Sequence, residues 1–99
     1  MDGVTITFEL RLKPEVVSDF LQGLPQLLKD TANFAGCRAI RAVQHRDDPT
    51  RVLFVELWAT EEAYRNYIAW RTERGDMDAI GRLTHSTAVN VWPHLVAQV

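Results

Sequence analysis

A chain of 99 residues, 46% hydrophobic and 24% charged, with 11 basic against 13 acidic side chains and a formal charge of -2, describes one small domain over residues 1–99 and excludes a second. At this size folding buries about two thirds of the surface an unfolded chain exposes, so a large enclosed site competes with the core. No basic footprint offers itself to nucleic acid, no apolar run approaches the roughly 20 residues that span a bilayer, and the single Cys37 excludes an internal disulfide or a cysteine-built zinc cage.

Met1-Asp2-Gly3 opens without a basic segment leading into a signal-type apolar stretch, so a cytoplasmic location is expected. Val4, Ile6, Phe8, Leu10 and Leu12 then alternate with Thr5, Thr7, Glu9 and Arg11, a period of two that predicts a strand over about 4–12 with one apolar face. Pro14 supplies a fixed φ at a first helical position, and Val16, Val17, Phe20, Leu21, Leu24, Leu27 and Leu28 recur at helical spacing, predicting a helix over about 14–31. Gly23 and Pro25 are misfits inside it, so a kink or break is expected there, read as a bend around the sheet rather than a functional hinge.

Gly36 marks the turn into a second strand over about 37–45, and Arg46-Asp47-Asp48-Pro49-Thr50 links it to a third over 51–58, forming an antiparallel hairpin. The third strand is apolar on both faces except at Glu56, which predicts a central position with something packed on each side. Thr60 as N-cap and Glu61 and Glu62 in the first turn begin a second helix over about 60–74, Gly75 stops it, and a short helix over about 76–83 follows. A fourth strand over 87–92 ends at Pro93. This order, βαββαβ with an antiparallel sheet, is the ferredoxin-like α+β arrangement. Its helices cover one face of the sheet, so a homodimer with the two sheets face to face is the simplest cover for the other, pairing two copies into an α/β barrel.

Phosphate loops, dinucleotide fingerprints, nucleophile elbows and metal-spaced histidine pairs are absent, which removes most cofactor-dependent chemistry from the first rank. His45, His85 and His94 are scattered. His85 alone, in a loop before the last strand, is placed to overhang the open end of the sheet. Cys37 is expected as a small buried side chain. Glu56 either pairs with Arg38 or Arg41 across the hairpin, the preferred reading, or has a raised pKa suited to taking a proton. Phe54, Glu56 and Trp58 share one strand face and the next helix offers Tyr64, Tyr67 and Trp70. This aromatic zone reads first as packing between sheet and helix, and second as a pocket for a flat aromatic substrate with polar orienting groups.

The string Val55-Glu56-Leu57-Trp58-Ala59-Thr60-Glu61-Glu62-Ala63-Tyr64, preceded by Phe34-Ala35-Gly36-Cys37 and the hairpin turn, resembles the antibiotic biosynthesis monooxygenase (ABM) family. The resemblance implies a small dimeric α/β barrel that oxidises an anthrone, quinol or other small aromatic polyketide with molecular oxygen as co-substrate and no cofactor. A deprotonated phenolic substrate can itself reduce oxygen, so such a protein supplies a dry pocket, proton transfer and anion stabilisation. The family's anthrone oxidases carry a tryptophan at the end of the third strand and a tyrosine on the following helix, matched by Trp58 and Tyr64. Their strand asparagine, four positions before the tryptophan, is replaced here by Phe54. The haem-degrading branch's asparagine, tryptophan and histidine fall on Thr7, Tyr67 and about Met77, and none matches. The resemblance therefore implies Glu56 as base, Trp58 as shaper of the pocket, Tyr64 and Tyr67 as hydrogen-bonding partners of a phenolate, and Phe54, Trp70 and His85 around the substrate. A non-catalytic ligand-binding or assembly protein, and a cyclase or isomerase of an enolisable substrate, are the alternatives on the same fold.

Overall fold

Alternation in the first strand becomes a sidedness of the whole sheet. In the computed structural model, which describes residues 3–99, β1 (Val4–Leu12) buries Val4, Ile6, Phe8, Leu10 and Leu12 and turns Thr5, Thr7, Glu9 and Arg11 to the other side. Met1 and Asp2, part of the N-terminal segment read above as lacking a signal, lie outside the described residues. β2 (Cys37–Gln44), β3 (Arg51–Trp58) and β4 (Thr84–Trp92) complete an antiparallel sheet in the order β2-β3-β1-β4. With α1 (Val17–Ala32), α2 (Glu61–Glu73) and α3 (Asp76–Leu83), this is a ferredoxin-like α+β fold, and β3 is central, as its apolar run requires. Among the described residues no helix is long and apolar enough to cross a membrane.

Register settles what each face contains. On the helix side Ile40, Glu56, Ile6 and Val91 form one cross-strand row, and Ala42, Phe54, Phe8 and Val89 the next. On the far side the rows are Ala39, Leu57, Thr5, Trp92 and Val43, Leu53, Glu9, Ala88. The far face is thus apolar along β3 and polar along β1, and it carries Trp92 at 58% exposure.

Two boundaries and one expected break differ from expectation. Pro14 holds Lys13 extended, and the first turn closes through a Val16 N–H to Lys13 carbonyl bond of 3.1 Å, so Pro14–Val16 is a 3-10 turn and α1 starts at Val17. α1 then runs unbroken through Gly23 and Pro25: its apolar face, with Phe20, Leu21, Leu24, Leu27 and Leu28, packs on the β1–β3 core and holds the helix across the missing donor. β4 begins at Thr84 rather than residue 87, because the chain leaves α3 directly in extended conformation and pairs Thr84 with Leu12. A register shift there leaves His85 between the pairs Ser86–Arg11 and Thr84–Leu12, in the strand and exposed, not in a loop.

The core lies in two clusters on the helix side. Val4, Ile6 and Trp58 pack against Tyr64 and Tyr67 of α2, whereas Phe8, Leu10, Leu12, Val52 and Phe54 pack under α1. Gly36 ties the first cluster to the turn before α2. At φ +93° it occupies a left-handed conformation, and a Cβ there would meet the Ala63 Cβ at 2.5 Å.

Candidate functional site

Between the two clusters the helices do not close on the sheet, and a cavity of about 400 Å³ remains. Phe8, Ile40, Phe54 and Glu56 come from the sheet, Tyr64, Tyr67, Ile68 and Arg71 from α2, and Met77, Ile80 and Leu83 from α3 or its end. α1 contributes Phe20 and Leu27, and along its outer edge the stripe Asp19, Gly23, Gln26 and Asp30, spaced at helical periodicity. Nothing lies within 4 Å of where a Gly23 Cβ would stand, so the missing side chain leaves the mouth open.

Glu56 rises from the sheet in this cavity and is only 4% exposed. Strand alternation explains its partners. Ile40 stands opposite Glu56 on β2, and Arg41 stands opposite Val55 and so belongs to the far face. Arg38, beside the irregularity between Cys37 and Ala39, carries its guanidinium beside the Gly3 backbone. The expected arginine pairing is therefore replaced: Glu56 Oε1 accepts the indole N–H of Trp58, two residues along the same face, at 2.9 Å. Among the described residues nothing hydrogen-bonds the other carboxyl oxygen. Burial pushes the Glu56 carboxyl above the ordinary carboxylate range, and the Trp58 hydrogen bond opposes that only in part.

Tyr64, held in α2 behind the Thr60 cap whose hydroxyl accepts the Ala63 N–H at 3.1 Å, faces the same cavity. Burial raises its phenol well above the ordinary range, and the Glu56 charge and Tyr67 add to the rise, so it stays protonated. Among the described residues its hydroxyl makes no hydrogen bond, which leaves it a donor available within the cavity. Trp58, fully buried, does not line the cavity. It lies behind Tyr64 and Tyr67, with ring centroids 5.8 and 5.0 Å away, and fixes the wall from within.

Tyr67 does line the cavity but is already engaged. Its oxygen lies 2.8 Å from Thr31 Oγ1 and accepts from Arg71 Nε at 2.9 Å. Phe54 lines the cavity where the resemblance expects an amide, giving an apolar surface tilted against Phe8 and Phe20. Trp70 lies outside, packed on Phe34 at 5.3 Å and under the Arg71 and Arg74 guanidiniums at 4.8 Å each. His85, on β4, does not reach the cavity. The geometry thus gathers Phe54, Glu56, Tyr64 and Tyr67, keeps Trp58 one layer back, and leaves Trp70 and His85 elsewhere.

The buried group absent from the sequence reading is Arg71, with Thr31 and Asp76. Arg71 is 7% exposed, and besides Tyr67 it donates to Asp76 Oδ2 at 2.9 Å, Thr31 Oγ1 at 3.2 Å and the Leu27 carbonyl at 3.4 Å. Tyr67 and Arg71 are four apart on one helix, which was a legible signal, but the partners on α1 and α3 were not. Among the described residues no cluster of His, Cys, Asp and Glu is arranged to hold a metal ion.

The family model for antibiotic biosynthesis monooxygenase matches residues 3–73. The fold recurs in SnoaB, a cofactor-independent oxygenase from Streptomyces nogalater solved in a mutant form, which is 14% identical with a TM-score of 0.82 and is covered over 97% of its length by 98% of this chain. SO0527 from Shewanella oneidensis is 22% identical with a TM-score of 0.83, covering 98% of this chain and 96% of its own. Rv0793 from Mycobacterium tuberculosis is 17% identical with a TM-score of 0.83, covering 98% and 99%. At these identities the likeness is one of fold.

Proposed function

The chain belongs to the antibiotic biosynthesis monooxygenase family, and from that premise we propose that it oxidises a small enolisable aromatic, of anthrone or quinol type, with molecular oxygen and no cofactor. The observation that carries the reading is the pairing of Glu56 and Tyr64 in one apolar cavity: a carboxyl whose affinity for a proton is raised, with one oxygen unengaged among the described residues, beside a phenol that remains a donor. A cavity of about 400 Å³ is within the range of small-molecule sites, and Phe8, Phe20 and Phe54 give it flat apolar walls.

In this reading Glu56 removes a proton from the acidic carbon of an anthrone, or from a hydroxyl of a quinol, whose two electrons then pass to oxygen to give quinone and hydrogen peroxide. Tyr64 hydrogen-bonds the oxygen on which the negative charge develops. Trp58 keeps the carboxyl aimed by holding Oε1. The anthrone carbanion passes an electron to oxygen, the resulting pair joins through a new carbon–oxygen bond, and a proton returned from Glu56 completes a hydroperoxide. Loss of water then leaves a carbonyl. A methylene and one dioxygen become a carbonyl and one water, so the electrons balance without a further reductant. Apolar walls favour the neutral substrate and the diffusion of oxygen, and they strengthen the few polar contacts. A homodimer formed through the far face of the sheet is part of the same proposal, supported by Leu53, Val55, Leu57 and Trp92 on that face.

The test is oxygen uptake with a panel of anthrones and hydroquinones in metal-free, flavin-free buffer. Wild type should accelerate consumption of at least one substrate, Glu56→Gln should reduce kcat by about 100-fold or more, and Tyr64→Phe should reduce it by about tenfold. Turnover without oxygen uptake would point instead to a cyclase or isomerase. Binding without turnover of any substrate would point to a ligand-binding protein.

A further inference from the structure

Arg71 is not used by the chemistry above, yet it is a buried guanidinium in the cavity wall. We infer that Arg71 is a substrate-binding and specificity-determining residue, which receives a single oxygen of the substrate as that oxygen becomes anionic. The inference rests on the proposed reading, because that reading supplies the enolisable substrate.

A guanidinium has five N–H bonds. Arg71 spends Nε–H on Tyr67, one Nη1–H on Asp76 and both Nη2–H bonds on Leu27 and Thr31, so one Nη1–H has no partner among the described residues. Its charge is also incompletely compensated. Asp76 Oδ2 is shared with Arg74, at 2.9 and 3.0 Å, so two guanidiniums face one carboxylate and a net positive charge remains. The side chain is rigid: stacking over the Trp70 and Tyr67 rings and bonds to three helices fix it in place. A preorganised cation in an apolar wall stabilises a developing oxyanion far more than it does a neutral oxygen.

The other charges around the cavity sharpen the selection. Asp19 and Asp30 stand with Asp76 at its edge, the Glu56 carboxyl stands inside, and Arg71 is the single cation among its lining residues. A ligand that arrives carrying several negative charges, such as a phosphorylated or nucleotide-linked substrate, meets three carboxylates first. A neutral phenol or ketone passes them and meets Arg71 only inside. The substrate class is therefore an uncharged, unphosphorylated carbon acid with a phenolic or keto oxygen near the acidic carbon.

The test is binding of 4-nitrophenol, whose phenol and phenolate forms absorb at different wavelengths, titrated with pH in the presence of saturating protein. Wild type should favour phenolate over phenol by about tenfold, lowering the bound phenol's pKa by about one unit. Arg71→Gln should abolish that preference, while Arg71→Lys should keep part of it. Asp76→Asn, at a partly exposed position, should strengthen it about threefold by leaving both guanidiniums uncompensated. A brace that merely joins the three helices would change the melting temperature without moving the bound phenol's pKa. Equal affinity for both forms, no binding by wild type, or an unchanged preference in Arg71→Gln or Asp76→Asn overturns the inference. Phenolate preference with no oxygen uptake for any anthrone leaves this inference standing while the oxygenase reading fails.

Discussion

A carboxyl in the middle of an apolar strand must be paired, be neutral, or be destabilising when charged. Among the described residues Glu56 has an indole N–H as its hydrogen-bond partner, and burial raises its proton affinity. The consequence for stability has a definite sign. Because the folded state binds the proton more tightly than the unfolded chain, this residue favours folding at pH below its unfolded pKa, and that contribution is lost as pH rises through the folded value. Glu56→Gln, whose amide oxygen can still accept from Trp58, should therefore be as stable as wild type near pH 4 and more stable near pH 7, read from denaturant midpoints across that range. Activity should run the other way. In the wild type kcat/KM should rise with pH along an acid limb displaced above the ordinary carboxylate range, and the limb should vanish in Glu56→Gln. The carboxyl's position on the strand was legible from the sequence. Its partner was not, because a choice among Arg38, Arg41 and Trp58 depends on the register of β2 against β3 and not on composition.

At the scale of elements, α1 shows how tertiary packing overrides a local signal. Gly23 and Pro25 argue for a break, yet the apolar stripe from Phe20 to Leu28 keeps the helix whole on the β1–β3 cluster. Gly23 faces open space, so Gly23→Ala should raise stability by about 1 kcal/mol, measured by denaturant unfolding. Gly23→Leu should place a side chain across the cavity mouth and weaken binding of any aromatic ligand with little loss of stability. Gly36 is the opposite case. Its left-handed backbone and the Ala63 Cβ at 2.5 Å mean that Gly36→Ala should destabilise by about 1–3 kcal/mol, separating the β2 turn from the start of α2. The N-cap at Thr60 was read correctly because capping is chemistry between neighbours in sequence, and Thr60→Ala should cost about 1 kcal/mol. The start of β4 was misread because its pairing partner, Leu12, is remote in sequence.

For the molecule as a whole, the asymmetry of the sheet is the outstanding feature. Helices cover one face except along β4, where Val89 and Val91 stay exposed, while the other presents Leu53, Val55, Leu57, Val43 and Trp92 beside the Arg51–Glu9 ion pair. The apolar band along β2 and β3, set apart from Trp92 by the polar side chains of β1, calls for cover by another surface. Sedimentation at micromolar concentration should give the mass of a dimer, and Val55→Lys, which puts a charge on the face away from the helices, should give a folded monomer. A wild type that sediments as a monomer would remove the face-to-face pairing from the proposal.

The sequence by itself determined the order of elements, the central place of β3, the sidedness of β1 and the presence of Glu56, Trp58 and Tyr64 in one aromatic zone. Each of these follows from periodicity or from chemistry within a few residues. Only the tertiary structure decided that Trp58 stands behind the cavity and Tyr64 in it, that Tyr67 is engaged by Thr31 and Arg71, and that His85 and Trp70 lie away from it. Those outcomes depend on how α1, α2 and α3 meet over the sheet. The residues involved are separated by tens of positions, and no local pattern carries that information.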